Sequence, residues 1–414
     1  MLGCLNSHYS ADFPRHPTRI VPLFISRVHQ LLATILWVAV ATLGLQSTVN
    51  AQNFQTKAKQ ALVMDFDSGS VLFQKNADQH MPPASLAKLM TMEVVFHSLK
   101  TGELNFDTPF NISLDVWKRG GANSGGSTMF AALNSDIRLE DLIRGVIIQS
   151  GNDAAMAIAE GMAGSEYAFA GLMNQRARKI GLENSTFRNS TGLPDPDQLV
   201  TSRDLAVLAR HIVKTYPELY KIYSEPDFIW NKVRQRNRNP ILGKVQGADG
   251  MKTGYTEASG YGLVGSAQQN GRRIIVVLNG MDSKRERSAE AVKILRWAFR
   301  AFRPIDLFEE GEVVGEATLY GGAKSGVELK ADGPLRIFVP IGFQDRIKAD
   351  IVFQGPIRAP VEAGTRIAKL QVKIDGKVSQ ETALYAAEDV GEGSVTQKAI
   401  DAMQELIVGM FRFE

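Results

Sequence analysis

Residues 249–278 read DGMKTGYTEASGYGLVGSAQQNGRRIIVVL. Gly260-Tyr-Gly-Leu-Val-Gly-Ser-Ala reads as a strand, Asn270-Gly271 is the strongest short-range hairpin signal, and Arg273–Leu278 is the returning strand. Lys252-Thr253-Gly254 follows the Asp249-Gly250 turn signal and begins the strand before them. From Arg285 to Phe302 the spacing becomes helical. Far upstream, Ala61–Phe66 alternates weakly, Asp67-Ser68-Gly69 is turn chemistry and Val71-Leu72-Phe73 resumes a strand. Between these ends lie helical patterns at Ser85–Leu99, Leu139–Gln149, Ala154–Ala163, Tyr167–Ile180 and Ser202–Thr215. Strands at both ends with helices between them predict an α+β domain, residues 52–303, whose terminal segments share one antiparallel sheet.

From Pro304 to Gly393 the chain reads as short strands only, among them Leu335–Val339, Lys348–Phe353 and Arg366–Ile374, which predicts a separate small β domain over 304–393. Residues 394–414 return to helical spacing, with Val395, Ala399, Met403, Leu406 or Ile407, and Met410 on one face. Met403, Leu406, Ile407, Met410, Phe411 and Phe413 make a large apolar end, for which lying in a membrane interface is the expected use. At the other terminus, Leu31–Leu45 is fifteen residues without a charge, preceded by Arg27 and followed by Val49-Asn50-Ala51, small residues suited to cleavage before Gln52. This is the layout of a secretory signal over 1–51, too short for a spanning helix of about 20 residues.

The 414 residues carry a formal charge of +3, of which +2 falls in residues 1–51. No long basic run follows, so nucleic-acid binding by electrostatics has no support. The one cysteine, Cys4, lies in the expected signal, so the mature chain offers neither disulfide nor thiolate metal site. Its histidines, His80, His97 and His211, stand in no carboxylate cluster with metal spacing. A Ser-His-Asp triad and a metal centre are therefore not expected.

Ser85-Leu86-Ala87-Lys88 is the chain's one Ser-x-x-Lys. On a helix this spacing puts both side chains on one face. A serine hydroxyl needs a base, and a lysine serves if burial and nearby cations lower its pKa. Alone, the tetrapeptide is better read as a capping serine and a surface lysine. Ser150-Gly151-Asn152, the one Ser-x-Asn, ends an apolar helical run and precedes an alanine-rich helix. Lys252-Thr253-Gly254 supplies a third element, on a strand where glycine lets a ligand backbone approach the edge. Lys100-Thr101-Gly102 spells the same letters, but at the end of the Ser85 helix it is a plain stop signal.

Ser-x-x-Lys, Ser-x-Asn and Lys-Thr-Gly, in that order, are the signature set of β-lactamases and penicillin-binding proteins. Through Pro83–Lys88, Gln149–Ala154, Asn237-Arg238-Asn239 and Asp249–Gly254, the chain resembles the D-alanyl-D-alanine carboxypeptidases among the low-molecular-mass penicillin-binding proteins. That resemblance implies a β-lactamase/transpeptidase-like domain followed by a small all-β domain and an amphipathic helix. It implies attack by Ser85 on the carbonyl between the last two D-alanines of peptidoglycan stem peptides, with Lys88 taking the proton. Ser150 would pass a proton to the leaving nitrogen, and Asn152 would hold Lys88 and the substrate amide. Lys252 would keep Lys88 neutral and, with Thr253 and Arg238, face the terminal carboxylate; Gly254 completes the motif. The N–H groups of Ser85 and Tyr255 would form the oxyanion hole, although some relatives carry histidine where Tyr255 stands. No cofactor is implied, β-lactams would be covalent inhibitors, and the site of action would be the periplasmic side of the bacterial inner membrane. A β-lactamase would need a Glu-x-x-Leu-Asn stretch between Asn152 and Lys252, and there is none. A D,D-endopeptidase acting on peptide crosslinks shares the chemistry. A non-catalytic wall-binding module would carry a damaged triplet, and all three are intact.

Overall fold

The computed structural model describes residues 54–341, 347–374 and 376–410, with the backbone alone at 377 and 404–410. The expected signal and the apolar side chains expected at Leu406, Ile407, Met410, Phe411 and Phe413 lie outside what is described. The larger elements are strands β1 (Gln60–Asp65) and β2 (Val71–Lys75), helices α1 (Lys88–Thr101), α2 (Asn152–Ala163), α3 (Glu166–Lys179) and α4 (Ser202–Thr215), the hairpin β3 (Asp227–Trp230) and β4 (Val233–Arg236), strands β5 (Ala248–Thr256), β6 (Gly260–Gln269) and β7 (Arg272–Met281), and helix α5 (Lys284–Ala301). One antiparallel sheet has the order β2-β1-β7-β6-β5, so the two ends of the domain do pair, Leu62 opposite Val277 and Met64 opposite Ile275.

The unbroken Ile274-Ile-Val-Val-Leu278 run is apolar because both faces of its strand are covered. Ile275 and Val277 join Leu62 and Met64 in a core shared with α1, α2 and α4. Ile274, Val276 and Leu278 join Ala61 and Val63 in a second core under Ile294, Leu295 and Ala298 of α5. Each such side chain removed from water contributes about 1.5–3 kcal/mol. Helix α1 is buried nearly all round, with Leu89, Met90, Val95 and Phe96 fully covered. It stops at Gly102, whose φ of +78° turns the chain and whose N–H bonds to the Leu99 carbonyl. The second Lys-Thr-Gly is thus a helix terminus, with Lys100 donating to the Thr215 carbonyl at 3.2 Å.

Two helices expected as continuous are broken next to the motifs. The Ser85 segment is a 3-10 turn over Ala84–Ala87 that passes into α1 at Lys88. The 139–149 segment is α-helical over Leu139–Arg144 and then widens into a π turn over Gly145–Gln149. Such departures are common at functional sites, because they re-aim a residue that a regular helix would point elsewhere.

Beyond α5, strands β8 (Phe302–Phe308), β9 (Val313–Tyr320), β10 (Gly326–Ala331), β11 (Leu335–Pro340), β12 (Ile347–Phe353), β13 (Ile357–Arg358), β14 (Arg366–Ile374) and β15 (Lys377–Ala386) form the β domain. Six of them make one sheet, β12-β14-β15-β10-β9-β13, while β8 pairs with β11. Leu329, Ile337, Leu370 and Leu384 belong to its separate core. Phe302 and Phe338 instead enter the α5 core, and the Arg272 guanidinium lies 3.9 Å from the Phe338 ring centre, which seats this domain on the first. A last helix, α6 (Val395–Met410), starts on the β domain, where Asp401 accepts from the Gly321 N–H at 2.7 Å. Among the described residues no helix is long and apolar enough to cross a membrane.

The carboxylate of Asp153, at the start of α2, is fully buried. It accepts from Thr128 Oγ1 at 2.6 Å and from the N–H groups of Met129, Ala131 and Ala154 at 2.9–3.1 Å. Replacing Asp153 by alanine orphans these donors, and each unsatisfied buried group costs about 1–3 kcal/mol. Asp153→Ala is expected to lower stability in urea by about 3 kcal/mol; a loss below about 1 kcal/mol would contradict this.

Candidate active site

The Ser85 turn is shaped by contacts on both sides. Ala84 sits at φ +47°, and a Cβ at Gly192, itself at φ +80°, would lie 1.7 Å from the Ala84 carbonyl oxygen. On the other side β5 is the edge strand of the sheet. A Cβ at Gly254 would meet Leu86 Cγ and Pro83 O at 3.1 Å. The glycine of Lys-Thr-Gly is therefore packed closely against the Ser85 turn, and a side chain there would have to shift Leu86 or the Pro83 carbonyl by a few tenths of an ångström.

This packing brings the three motifs together around Lys88. The Lys88 side chain is 0% exposed. Its Nζ lies 3.2 Å from Ser85 Oγ, 2.8 Å from Asn152 Oδ1 and 2.6 Å from the Thr191 carbonyl oxygen. Thr191 is held by Asn189, whose Oδ1 accepts from the Thr191 N–H and hydroxyl and from the Gly192 N–H. A neutral amine here donates one hydrogen to Asn152 and one to Thr191, leaving its lone pair toward the Ser85 hydroxyl.

Electrostatics favour that neutral form. Burial first, and the positive charge of Arg238 second, push the Lys88 pKa down to about 7. Lys252, also buried, is pushed well below the ordinary lysine value by burial and then by Lys88, Arg238 and Arg287. Lys252 is expected from the sequence to keep Lys88 neutral; burial is the largest cause at Lys88 and Arg238 the next, while the repulsion between the two lysines enters at Lys252.

The remaining expected residues stand in the same place. Ser150 is buried in the left-handed region, φ +65°, at the end of the π turn, and its hydroxyl has no partner among the described residues. A buried hydroxyl left unpaired is available to a substrate group. Among the described residues Lys252 donates only to the Thr253 carbonyl, at 3.2 Å. Arg238 donates to Ser127 Oγ at 2.5 Å, and Ser127 O accepts from the Asn152 N–H at 2.7 Å, which ties the arginine to the Ser-x-Asn turn. Thr253 is buried beside Lys252 on β5, and the exposed Tyr255 ring stacks on Tyr261 with centres 4.2 Å apart. Among the described residues no cluster of three His, Cys, Asp or Glu is placed to hold a metal.

Sequence reasoning missed Arg287 of α5. Its guanidinium is buried behind β5 and β6, donating to the Gly254 and Gly262 carbonyls at 3.3 and 3.4 Å, and burial pushes its pKa down to about 10. The available signal was its position four residues before Ala291, on the apolar stripe of α5.

Residues 46–283 match the family described as D-alanyl-D-alanine carboxypeptidase, and residues 302–392 match penicillin-binding protein 5, C-terminal domain. The chain is 38% identical to D-alanyl-D-alanine carboxypeptidase DacA of Haemophilus influenzae over 360 residues, 86% of this chain and 91% of that one. This chain belongs to the D-alanyl-D-alanine carboxypeptidase family. Among solved structures it resembles penicillin binding protein 5 from Haemophilus influenzae with a TM-score of 0.69 at 38% identity, covering 82% of this chain and 99% of that one. Penicillin-Binding Protein D2 from Listeria monocytogenes in its ampicillin-bound form gives a TM-score of 0.53 at 28% identity, covering 60% and 99%.

Within this family site the buried lysine makes a pH prediction. Below its pKa Lys88 is protonated and has no lone pair, so acylation of Ser85 by a fluorescent penicillin is expected to rise about tenfold per pH unit up to about 7 and then level off. Arg238→Gln removes the cation that depresses Lys88 and should move the profile to higher pH. A profile flat from about pH 5.5 to 8.5 in both proteins would contradict the assignment.

Proposed function

We propose that this member of the family is a serine D,D-carboxypeptidase that removes the terminal D-alanine from peptidoglycan stem pentapeptides. The observation that carries this reading is the position of Lys88 Nζ, buried between Ser85 Oγ, Asn152 Oδ1 and Thr191 O. Ser85 Oγ attacks the carbonyl carbon of the penultimate residue while its proton passes to Lys88. The oxyanion faces the N–H groups of Ser85 and Tyr255, where each donor is worth about 3–4 kcal/mol to the transition state. The C–N bond then breaks, the leaving D-alanine nitrogen receives a proton by way of Ser150, and water hydrolyses the ester. Lys252, Thr253 and Arg238 supply the positive charge and hydroxyl for the terminal carboxylate.

A β-lactam amide enters the same path, but its leaving nitrogen stays tethered, so the adduct outlasts the substrate acyl-enzyme. That a relative is solved in an ampicillin-bound form supports β-lactam binding here. A β-lactamase reading is disfavoured by the carboxylates whose charge reaches Lys88, Glu166 and Asp153. Glu166 is taken by the Ser190 N–H and hydroxyl and by Arg119, and Asp153 by its four donors. Neither is free to activate a deacylating water. The test is intact mass after incubation with penicillin: an adduct is expected on the wild type and none on Ser85→Ala. No adduct on either would overturn the reading.

The proposal extends to location: export directed by the 31–45 segment, and residence at the periplasmic face of the inner membrane through the terminal helix. Exposure of Val395, Ile400 and Met403 on α6 supports an interfacial face. Deletion of residues 394–414 is expected to release the protein from the membrane fraction; unchanged fractionation counts against anchoring.

A further inference from the structure

The strand that delivers Arg238 also carries two more arginines in alternation with it. Residues 233–239 read Val-Arg-Gln-Arg-Asn-Arg-Asn. In the β3–β4 hairpin Asp227 lies opposite Arg236, Phe228 opposite Gln235 and Ile229 opposite Arg234. Phe228 and Gln235 form the inner face, both buried, with Gln235 Nε2 donating to the Met129 carbonyl at 2.9 Å. Asp227, Ile229, Arg234 and Arg236 therefore share the outer face, where both arginines are exposed and Ile229 is 67% exposed. Extended pairing continues past β4, since the Asn237 N–H donates to the Pro226 carbonyl at 2.8 Å, so Arg238 follows Arg236 at the same two-residue step. Steps of two residues separate successive arginines by about 7 Å.

The charge on this face is unbalanced. Arg234 pairs with Asp227 at 2.6 Å, while Arg236 forms no ion pair among the described residues. Three arginines against one aspartate leave two positive charges in a row that leads out of the active site from Arg238. The hairpin is also tied to the site it borders, because Asn231 Nδ2 donates to the Phe130 carbonyl at 3.1 Å and Arg238 to Ser127.

We propose that the outer face of the β3–β4 hairpin extends the active site on its leaving-group side and binds the carboxylates of an acidic peptide carried by the leaving residue. This rests on the assignment of Arg238 to the substrate's terminal carboxylate. In a cross-linked pair of stem peptides the leaving residue keeps its own carboxylate and bears a second, carboxylate-rich stem on its side chain. Lying along β4, that stem brings one carboxylate to Arg236, which has no ion pair among the described residues, and a further one to Arg234, which it would share with Asp227. A single leaving D-alanine reaches neither.

The test uses the full chain and measures inhibition by a cross-linked stem-peptide dimer of the hydrolysis of a neutral acyl tripeptide ending in D-Ala-D-Ala. In Arg234→Gln/Arg236→Gln the dimer's Ki is expected to rise roughly three- to tenfold, while tripeptide kcat/KM and penicillin acylation stay within about twofold. In the wild type the Ki should weaken with added salt. An unchanged Ki, an equal rise in tripeptide KM, or a wild type that the dimer does not inhibit overturns the proposal while leaving the carboxypeptidase reading intact. If the double variant instead loses sedimentation with phosphatidylglycerol vesicles at unchanged Ki, the strip is a membrane contact and the proposal fails. Absence of both tripeptide hydrolysis and Ser85 labelling in the wild type overturns the underlying reading and this one with it.

Discussion

Desolvation of Lys88 is the constraint on which the rest of this site depends. An ammonium group removed from water and set near Arg238 loses its proton near pH 7. Every acceptor around it then becomes a device for aiming the remaining lone pair: Asn152 and Thr191 take the two hydrogens, and Ser85 is left in front of the free pair. Thr191 is in turn held by Asn189, and the Asn152 backbone by Ser127. Lys252 belongs to the same balance. Burial and then the charges of Lys88, Arg238 and Arg287 depress its pKa, and an anionic substrate group entering among them would offset that repulsion.

The fold supplies this environment by making its central sheet two-faced. β1 and β7 send alternate side chains into two cores, so a slip of one residue would swap the two sets and break the packing of both. Its free edge, β5, is then fixed in place for the Ser85 turn to pack on. The fit leaves no room for a Cβ at Gly192 without collision and little at Gly254. Arg287 braces β5 from behind through the Gly254 carbonyl. The β domain adds its weight through Phe338, which enters the α5 core next to Arg272.

Much of this was legible because it is local. Turn residues at Asp67–Gly69 and Asn270-Gly271, the apolar run at Ile274–Leu278 and the helical stripe of α5 depend on neighbours in sequence, and the elements appear where those signals fall. The decoy at Lys100-Thr101-Gly102 was separable for the same reason: its glycine closes a helix. What escaped were features set by contact between distant segments. The π turn before Ser150 and the 3-10 turn at Ser85 follow helical spacing in the sequence, and both lie where distant segments press close, Met129 on Gly145 and β5 on the Ser85 turn. Arg287 looks like one more charge in an arginine-rich helix until two strand carbonyls are found beside it.

The sequence by itself determined the α+β order of elements, the β character of 304–393 and the identity of the reactive residue types, because hydrophobic period, turn chemistry and a rare triplet are properties of short stretches. Only the tertiary structure showed how each lysine is surrounded. Lys88 and Lys252 are chemically identical side chains, and nothing in either local stretch ranks their pKa. Burial and Arg238 lower both; what separates them is that Lys88 Nζ lies 3.2 Å from Ser85 Oγ with acceptors on Asn152 and Thr191, residues tens of positions away.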